Sequence, residues 1–147
     1  MPDFSKRSEE EELMDDLQCK GEVIEQTLRE LEVINKWLGG NHVTVNGIDK
    51  LTKNISDEIT IADLGCGGGD ILKLIAQWAR KKKKKVRLIG VDANPNIIDF
   101  AIENCKQFAE IEFITADIFS EDFSTQKFDI VTSTLFTHHF TDESLVS

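Results

Sequence analysis

The chain has 147 residues, with 40% of them apolar, which is enough for the core of one domain. It carries 27 acidic against 17 basic residues, a net charge of −10, so a polyanionic nucleic acid is not expected as its partner. No run of about 18 apolar residues occurs, no apolar secretory segment opens the chain, and three cysteines without a C-x-x-C pair indicate neither a disulfide framework nor zinc; a cytoplasmic protein is expected.

In chain order, Ser8 before Glu9 to Glu12 has the composition of a helix start with carboxylates in its first turn. Apolar spacing at Ile24, Leu28, Leu31, Ile34 or Asn35, and Leu38 predicts a helix over 22–38, with Gly39-Gly40 as its stop. Residues 41–56 are mixed, with a short helix expected around Ile48–Lys53. The pattern then changes. Ile59 to Leu64 is a short apolar run ending in glycines, which predicts a strand. A helix follows over 71–80, with Ile71, Leu72, Ile75, Ala76 and Ala79 on one face. Val86 to Asp92 is a second strand, and Asn94-Pro95 opens a helix lined by Ile98, Ala101, Ile102 and Cys105. Ile111 to Ala116 and Phe128 to Ser133 are the third and fourth strands. Strands and helices that alternate in this way predict an α/β domain with a parallel sheet, whose ligands lie at the carboxyl ends of the strands. The basic run Arg80, Lys81–Lys85 and Arg87 reads as a solvated loop at a helix C-terminus, where cations complement the dipole.

The sharpest feature is Asp63-Leu64-Gly65-Cys66-Gly67-Gly68-Gly69-Asp70, between a strand and a helix. Four glycines in five residues exceed what a plain turn requires. The dinucleotide pattern G-x-G-x-x-G fails, because Asp70 or Leu72 stands where its last glycine belongs. The phosphate-binding loop fails for want of a Gly-Lys-Ser/Thr ending. Asp63 and Asp70 bracket the loop with negative charge, which suits a cationic ligand better than a pyrophosphate. Asp92 ends the second strand, where a carboxylate can accept from ribose hydroxyls. Asp117 ends the third, where it can accept from an exocyclic amine or simply form a turn. Cys66 reads as a small packing residue.

These residues together resemble the class I S-adenosylmethionine-dependent methyltransferases. Asp63 to Gly69 looks like that family's first motif, Val91-Asp92-Ala93-Asn94-Pro95 like its ribose-binding loop, and Ala116-Asp117-Ile118-Phe119 like its adenine-contacting loop. Phe128 to Ser133 resembles the fourth-strand motif, and Leu135 to Phe140, with His138 and His139, resembles a segment common in the small-molecule branch. The resemblance covers roughly 58–147. Glu12 to Asp16 and Ile34 to Trp37 resemble the N-terminal extension of one bacterial subgroup.

The resemblance implies S-adenosyl-L-methionine as cofactor and a small-molecule methyl acceptor, phenolic or quinone-like. Gly65, Gly67 and Gly69 would pass the methionine moiety, Cys66 between them would count among the cofactor-binding residues, and Asp63 would lie near the ammonium. Asp92 would take the ribose, Ala93 or Asn94 would flank the adenine, Asp117 would bind its amine beside Ile118, and Ser133 would border the methyl group. His138 and His139 are the candidate general bases. The implied fold is a Rossmann-like parallel sheet with helices on both faces and an N-terminal helical extension or lid over 1–56, the cofactor domain occupying 57–147. The family's sheet runs 3-2-1-4-5-7-6, and motifs for four strands are present, so the expected order is 3-2-1-4 with an incomplete C-terminal side. The apolar fourth strand then lies at an edge, which predicts a homodimer through it. Two other readings remain open: a cofactor- or partner-binding fragment without a complete active site, and a nicotinamide-dependent oxidoreductase.

Overall fold

The computed structural model describes residues 21, 22, 25–30 and 40–134. The acidic N-terminal start, residues 23, 24 and 31–38 of the expected 22–38 helix, and the 135–140 segment with His138 and His139 lie outside them. Residues 25–30 are helical, as expected.

Helix α1 spans Gly40–Leu51, so Gly40 begins a helix and does not stop one. The expected short helix around Ile48–Lys53 is the last part of it. Thr44, Val45 and Gly47 have low helix propensity, so the local signal is weak and tertiary contacts supply the stability. Ile48 is buried in the core and Val45 packs against that core. The Thr52 hydroxyl donates to the Ile48 carbonyl at 2.8 Å, and Trp78 Nε1 donates to Asp49 Oδ1 at 2.8 Å.

Strand β1 is Ile59–Leu64, α2 is Asp70–Lys82, β2 is Val86–Asp92 and α3 is Pro95–Asn104. Strand β3 is Ile111–Thr115, the one-turn α4 is Glu121–Ser124 and β4 is Ile130–Thr132. The sheet is parallel with order β3-β2-β1-β4, flanked by helices, as the resemblance implied. Its core joins Ile59, Ile61 and Leu88 of the sheet to Ile71, Leu72, Ile75 and Ala79 of α2 and Ile98 of α3. That is the apolar face expected for α2, and Pro95 stands at the first helical position of α3. The fourth strand is shorter than the sequence predicts. Asp129 belongs to a backbone and side-chain clasp on Thr60, whose N–H donates to Asp129 Oδ2 at 2.7 Å.

The chain runs outward through β1, β2 and β3 and then returns to the other side of β1. That reversal of strand order lies between β1 and β4, and ligands of such sheets bind at the carboxyl ends of the strands there. Register brings the predicted residues to this end. Asp63 pairs with Gly90 and with Thr132, and Asp92 pairs with Thr115.

Candidate functional site at the carboxyl ends of the strands

The loop after β1 is tied down on several sides. The N–H groups of Gly65 and Cys66 donate to the Val91 carbonyl at 2.8 and 3.1 Å, which fastens the loop to β2. The Gly69 N–H donates to the Cys66 carbonyl at 3.0 Å and tightens the turn. Gly65, Gly67 and Gly69 all have positive φ, of 67°, 52° and 81°, which explains why the sequence places glycine at these three positions. Asn104 of α3 supports the loop from behind, its Nδ2 donating to the Gly68 carbonyl at 2.8 Å. On the other side Leu28, from the 25–30 segment, is buried against Ile97 and Phe100. A side chain at Gly67 would come within 3.5 Å of Leu28. The N-terminal segment therefore covers part of the loop.

Asp63 is nearly inaccessible, at 3% exposure. Its Oδ1 accepts the Thr132 hydroxyl at 2.8 Å. Burial pushes its pKa up to about 7; the Thr132 hydrogen bond opposes the rise and the charge of Asp92 adds to it. A carboxyl in this condition gains from a cation placed beside it, because a nearby positive charge repays the lost hydration. Cys66 is buried and its thiol is pushed well up by burial and by Asp63 and Asp92, so it stays protonated and packs, as the sequence suggested.

Asp92 is half-buried at the end of β2, and its Oδ1 accepts the Asn94 N–H at 3.0 Å. Ala93 is exposed beside it. Asn94 is 1% exposed and caps α3, its Oδ1 accepting the Asn96 N–H at 2.9 Å. The structure thus gives Asn94 a capping role, while Ala93 faces the open side. Asp117 is exposed and forms a turn, its Oδ1 accepting the Phe119 N–H at 2.9 Å before Ser120 caps α4. Ile118 is half-buried and Ser133 is exposed just past β4.

Asp70 needs a correction. It does not present free charge to the loop: its Oδ1 lies 3.1 Å from Lys73 Nζ and accepts from Asn104 Nδ2 at 3.3 Å. The acidity of the site therefore rests on Asp63 and Asp92. The glycine spacing still departs from the dinucleotide pattern. The basic run is solvent-exposed at the end of α2, as expected, and some of its members also make surface contacts. Arg80 makes a two-pronged contact with Glu110 at 2.7 and 2.8 Å and lies over the Phe108 ring. Lys84 Nζ donates to the Thr52 and Ile55 carbonyls at 2.7 Å each, and Arg87 pairs with Glu112. Lys83, in the left-handed conformation, turns the chain out of α2.

Thr132 is the site residue that sequence reasoning missed. Only the β1–β4 register places it opposite Asp63, and no spacing along the chain announces that register. Asp63, the glycine loop, Asp92 and Thr132 do converge at one end of the sheet. Among the described residues no cluster of His, Cys, Asp and Glu could hold a metal ion, and no helix is long and apolar enough to cross a membrane.

Several solved structures share this architecture, methyltransferases among them. One, from Methanococcus maripaludis and assigned as a candidate S-adenosyl-L-methionine-dependent methyltransferase, superposes with a TM-score of 0.60 at 15% identity, over 85% of this chain and 56% of its own. The YcgJ protein of Bacillus subtilis gives 0.53 at 25% identity, over 69% and 42% of the two chains. The CurJ carbon methyltransferase gives 0.55 at 17% identity, over 67% and 29%. The chain thus spans less than two thirds of the length of each of these neighbours. Among curated proteins none matches this chain. The family described as "Methyltransferase domain" matches residues 55–147, which takes in the glycine loop, all four strands and the carboxylates at their ends, and the chain belongs to that family.

Proposed function

We propose that the chain binds S-adenosyl-L-methionine at the carboxyl ends of β1, β2 and β4 and transfers its methyl group to a small molecule. The observation that carries this reading is the pairing of a glycine loop with two carboxylates, one buried and one half-buried, at the same end of the sheet. That donor set fits the cofactor. Asp63 offers charge to an ammonium, Asp92 offers oxygens to ribose hydroxyls, and the loop's backbone leaves room for a ligand to approach. Bound there, the cofactor supplies a methyl group activated by a positive sulfur. What the chain contributes is orientation of the reactants and exclusion of water. Ala93, Ile118 and Asp117 would border the adenine, and Ser133 the methyl group. His138 or His139 would take a proton from the acceptor where one must leave. Residues 1–56 would form the extension that closes over the site, a reading supported by Leu28 beside the glycine loop. The acceptor is placed among phenolic or quinone-like compounds on the N-terminal resemblance. Nucleic acid is not placed among the partners, on the net charge of −10.

Calorimetric titration with S-adenosylmethionine, S-adenosylhomocysteine and NAD tests the reading. Binding of the first two is expected, and NAD binding without them would overturn it. Asp92→Ala should weaken S-adenosylhomocysteine by at least ~1.5 kcal/mol, the loss of charge-assisted hydrogen bonds. Unchanged affinity in a folded variant would leave Asp92 with a structural role, such as its support of the Asn94 N–H. A second reading is a cofactor-binding fragment that does not turn over. Binding without methyl transfer to any phenolic acceptor would select it.

We also propose that β4 pairs with a second copy of the chain. Among the described residues β4 is bonded to β1 alone, and Val131 on it is 52% exposed. Light scattering at tens of micromolar should show a dimer, and a strict monomer there would sink the idea.

A further inference from the structure

We propose that Thr132 is a positioning residue for the cofactor site: its hydroxyl fixes the Asp63 carboxyl group and keeps it hydrogen-bonded both with and without its proton. The inference rests on the cofactor reading above but concerns a residue which that reading does not use.

The geometry comes from the sheet. Thr132 stands opposite Asp63 in the β1–β4 register, and paired residues of neighbouring strands project to the same side. Thr132 Oγ1 lies 2.8 Å from Asp63 Oδ1 and 3.4 Å from the Ala62 carbonyl oxygen. A hydroxyl holds one hydrogen and can also accept. While Asp63 is ionised, that hydrogen points at Oδ1 in a short, charge-assisted bond. When Asp63 takes a proton, its O–H donates to Oγ1 and the hydroxyl turns to the Ala62 carbonyl. The second arrangement is the weaker, because 3.4 Å is near the limit of a hydrogen bond. Thr132 therefore biases Asp63 towards the ionised form.

That bias has a consequence because the other influences oppose it. Burial and the Asp92 carboxylate on β2 both raise the Asp63 pKa, and the Cys66 thiol on the loop is neutral. Thr132, from β4, is the group that pulls the other way. A ligand ammonium is best held by a carboxylate that is already charged and already oriented. Without the hydroxyl, binding near neutral pH must first remove a proton from Asp63.

The test compares Thr132→Val, which keeps the side-chain shape, with Thr132→Ser, which keeps the hydroxyl. The Asp63 carboxyl carbon is followed by NMR against pH, and S-adenosylhomocysteine affinity is measured from pH 6 to pH 9. T132V should raise the Asp63 midpoint by about one pH unit and weaken binding about fivefold at pH 7, with the deficit shrinking as pH rises. T132S should stay near wild type in both. T132V with an unchanged midpoint and unchanged affinity would overturn the proposal while leaving the cofactor reading intact. If the wild type does not bind, the cofactor reading fails, and the carboxyl titration still decides the role of Thr132. Thr132→Ala supplies the same comparison if the valine variant does not fold.

Discussion

Asp63→Asn is expected to remove a fall in stability that the wild type suffers between about pH 4 and pH 7. An aspartate in the unfolded chain releases its proton near pH 4. In the folded chain Asp63 keeps it until about pH 7, because burial disfavours the charge. Across that window the folded state binds more protons than the unfolded state, so stability declines as pH rises and levels off above 7. The full effect is at most on the order of 4 kcal/mol. Asparagine keeps the shape and the acceptor for the Thr132 hydroxyl but carries no charge. Denaturant titrations at about pH 3.5 and pH 8 should therefore show D63N close to wild type at the lower pH and more stable at the higher. The same variant should bind S-adenosylhomocysteine at least ~10-fold more weakly at pH 8, since a charge-assisted bond is lost. A stability difference that does not vary with pH would mean that Asp63 titrates as an ordinary surface carboxylate. The gain in stability and the loss of binding belong together. A buried charge that the fold does not neutralise is tolerated where a ligand neutralises it.

Gly69→Ala carries the second large effect, with an expected cost of roughly 2–4 kcal/mol. Two causes add. The residue caps α2 with φ of 81°, which an alanine adopts only under strain. Its Cβ would also stand 2.7 Å from Cys105 Sγ and 3.1 Å from Phe113 Cζ, both packed inside the fold. Those neighbours are held by α3 and β3, so neither can move far without disturbing the core. Gly67→Ala is the control. Its φ is also positive, at 52°, but the new methyl would meet only Leu28, at 3.5 Å. It should cost about 1 kcal/mol, from backbone strain. Denaturant midpoints distinguish the two, and equal losses would show that the crowding at Gly69 relaxes. Of these two glycines, Gly69 thus serves the packing of the loop against α3 and β3, whereas Gly67 lies beneath the N-terminal segment.

Much of the architecture was legible along the chain. Ile59 to Leu64 and Val86 to Asp92 are strands with the predicted limits, and the apolar face of α2 is the one its periodicity marks. Their signals are strong because these segments are buried, and burial imposes an apolar pattern that survives in sequence. Helix α1 was underread because it holds Gly47 and β-branched residues and is stabilised by Trp78 and the core. Helix α3 ends at Asn104, short of the predicted apolar stretch, and Phe108 packs against the core from beyond it, beneath Arg80. The short α4 leaves no periodic trace at all.

For the site the division is sharper. Sequence alone determined that a glycine loop follows β1, that carboxylates end β1 and β2, and that the spacing is not that of a dinucleotide or phosphate loop. These are local facts, carried by residue type and by position relative to a strand. Only the tertiary structure decided which carboxylates are available. Asp70 is paired with Lys73 and Asp117 forms a turn, local outcomes that residue type allows but does not impose. Asp63 is buried against Thr132, an outcome set by elements distant along the chain. The Thr132 contact depends further on which strands lie side by side. Strand pairing is set by the packing of the whole sheet, so a partner 69 residues away leaves no sign in the local pattern.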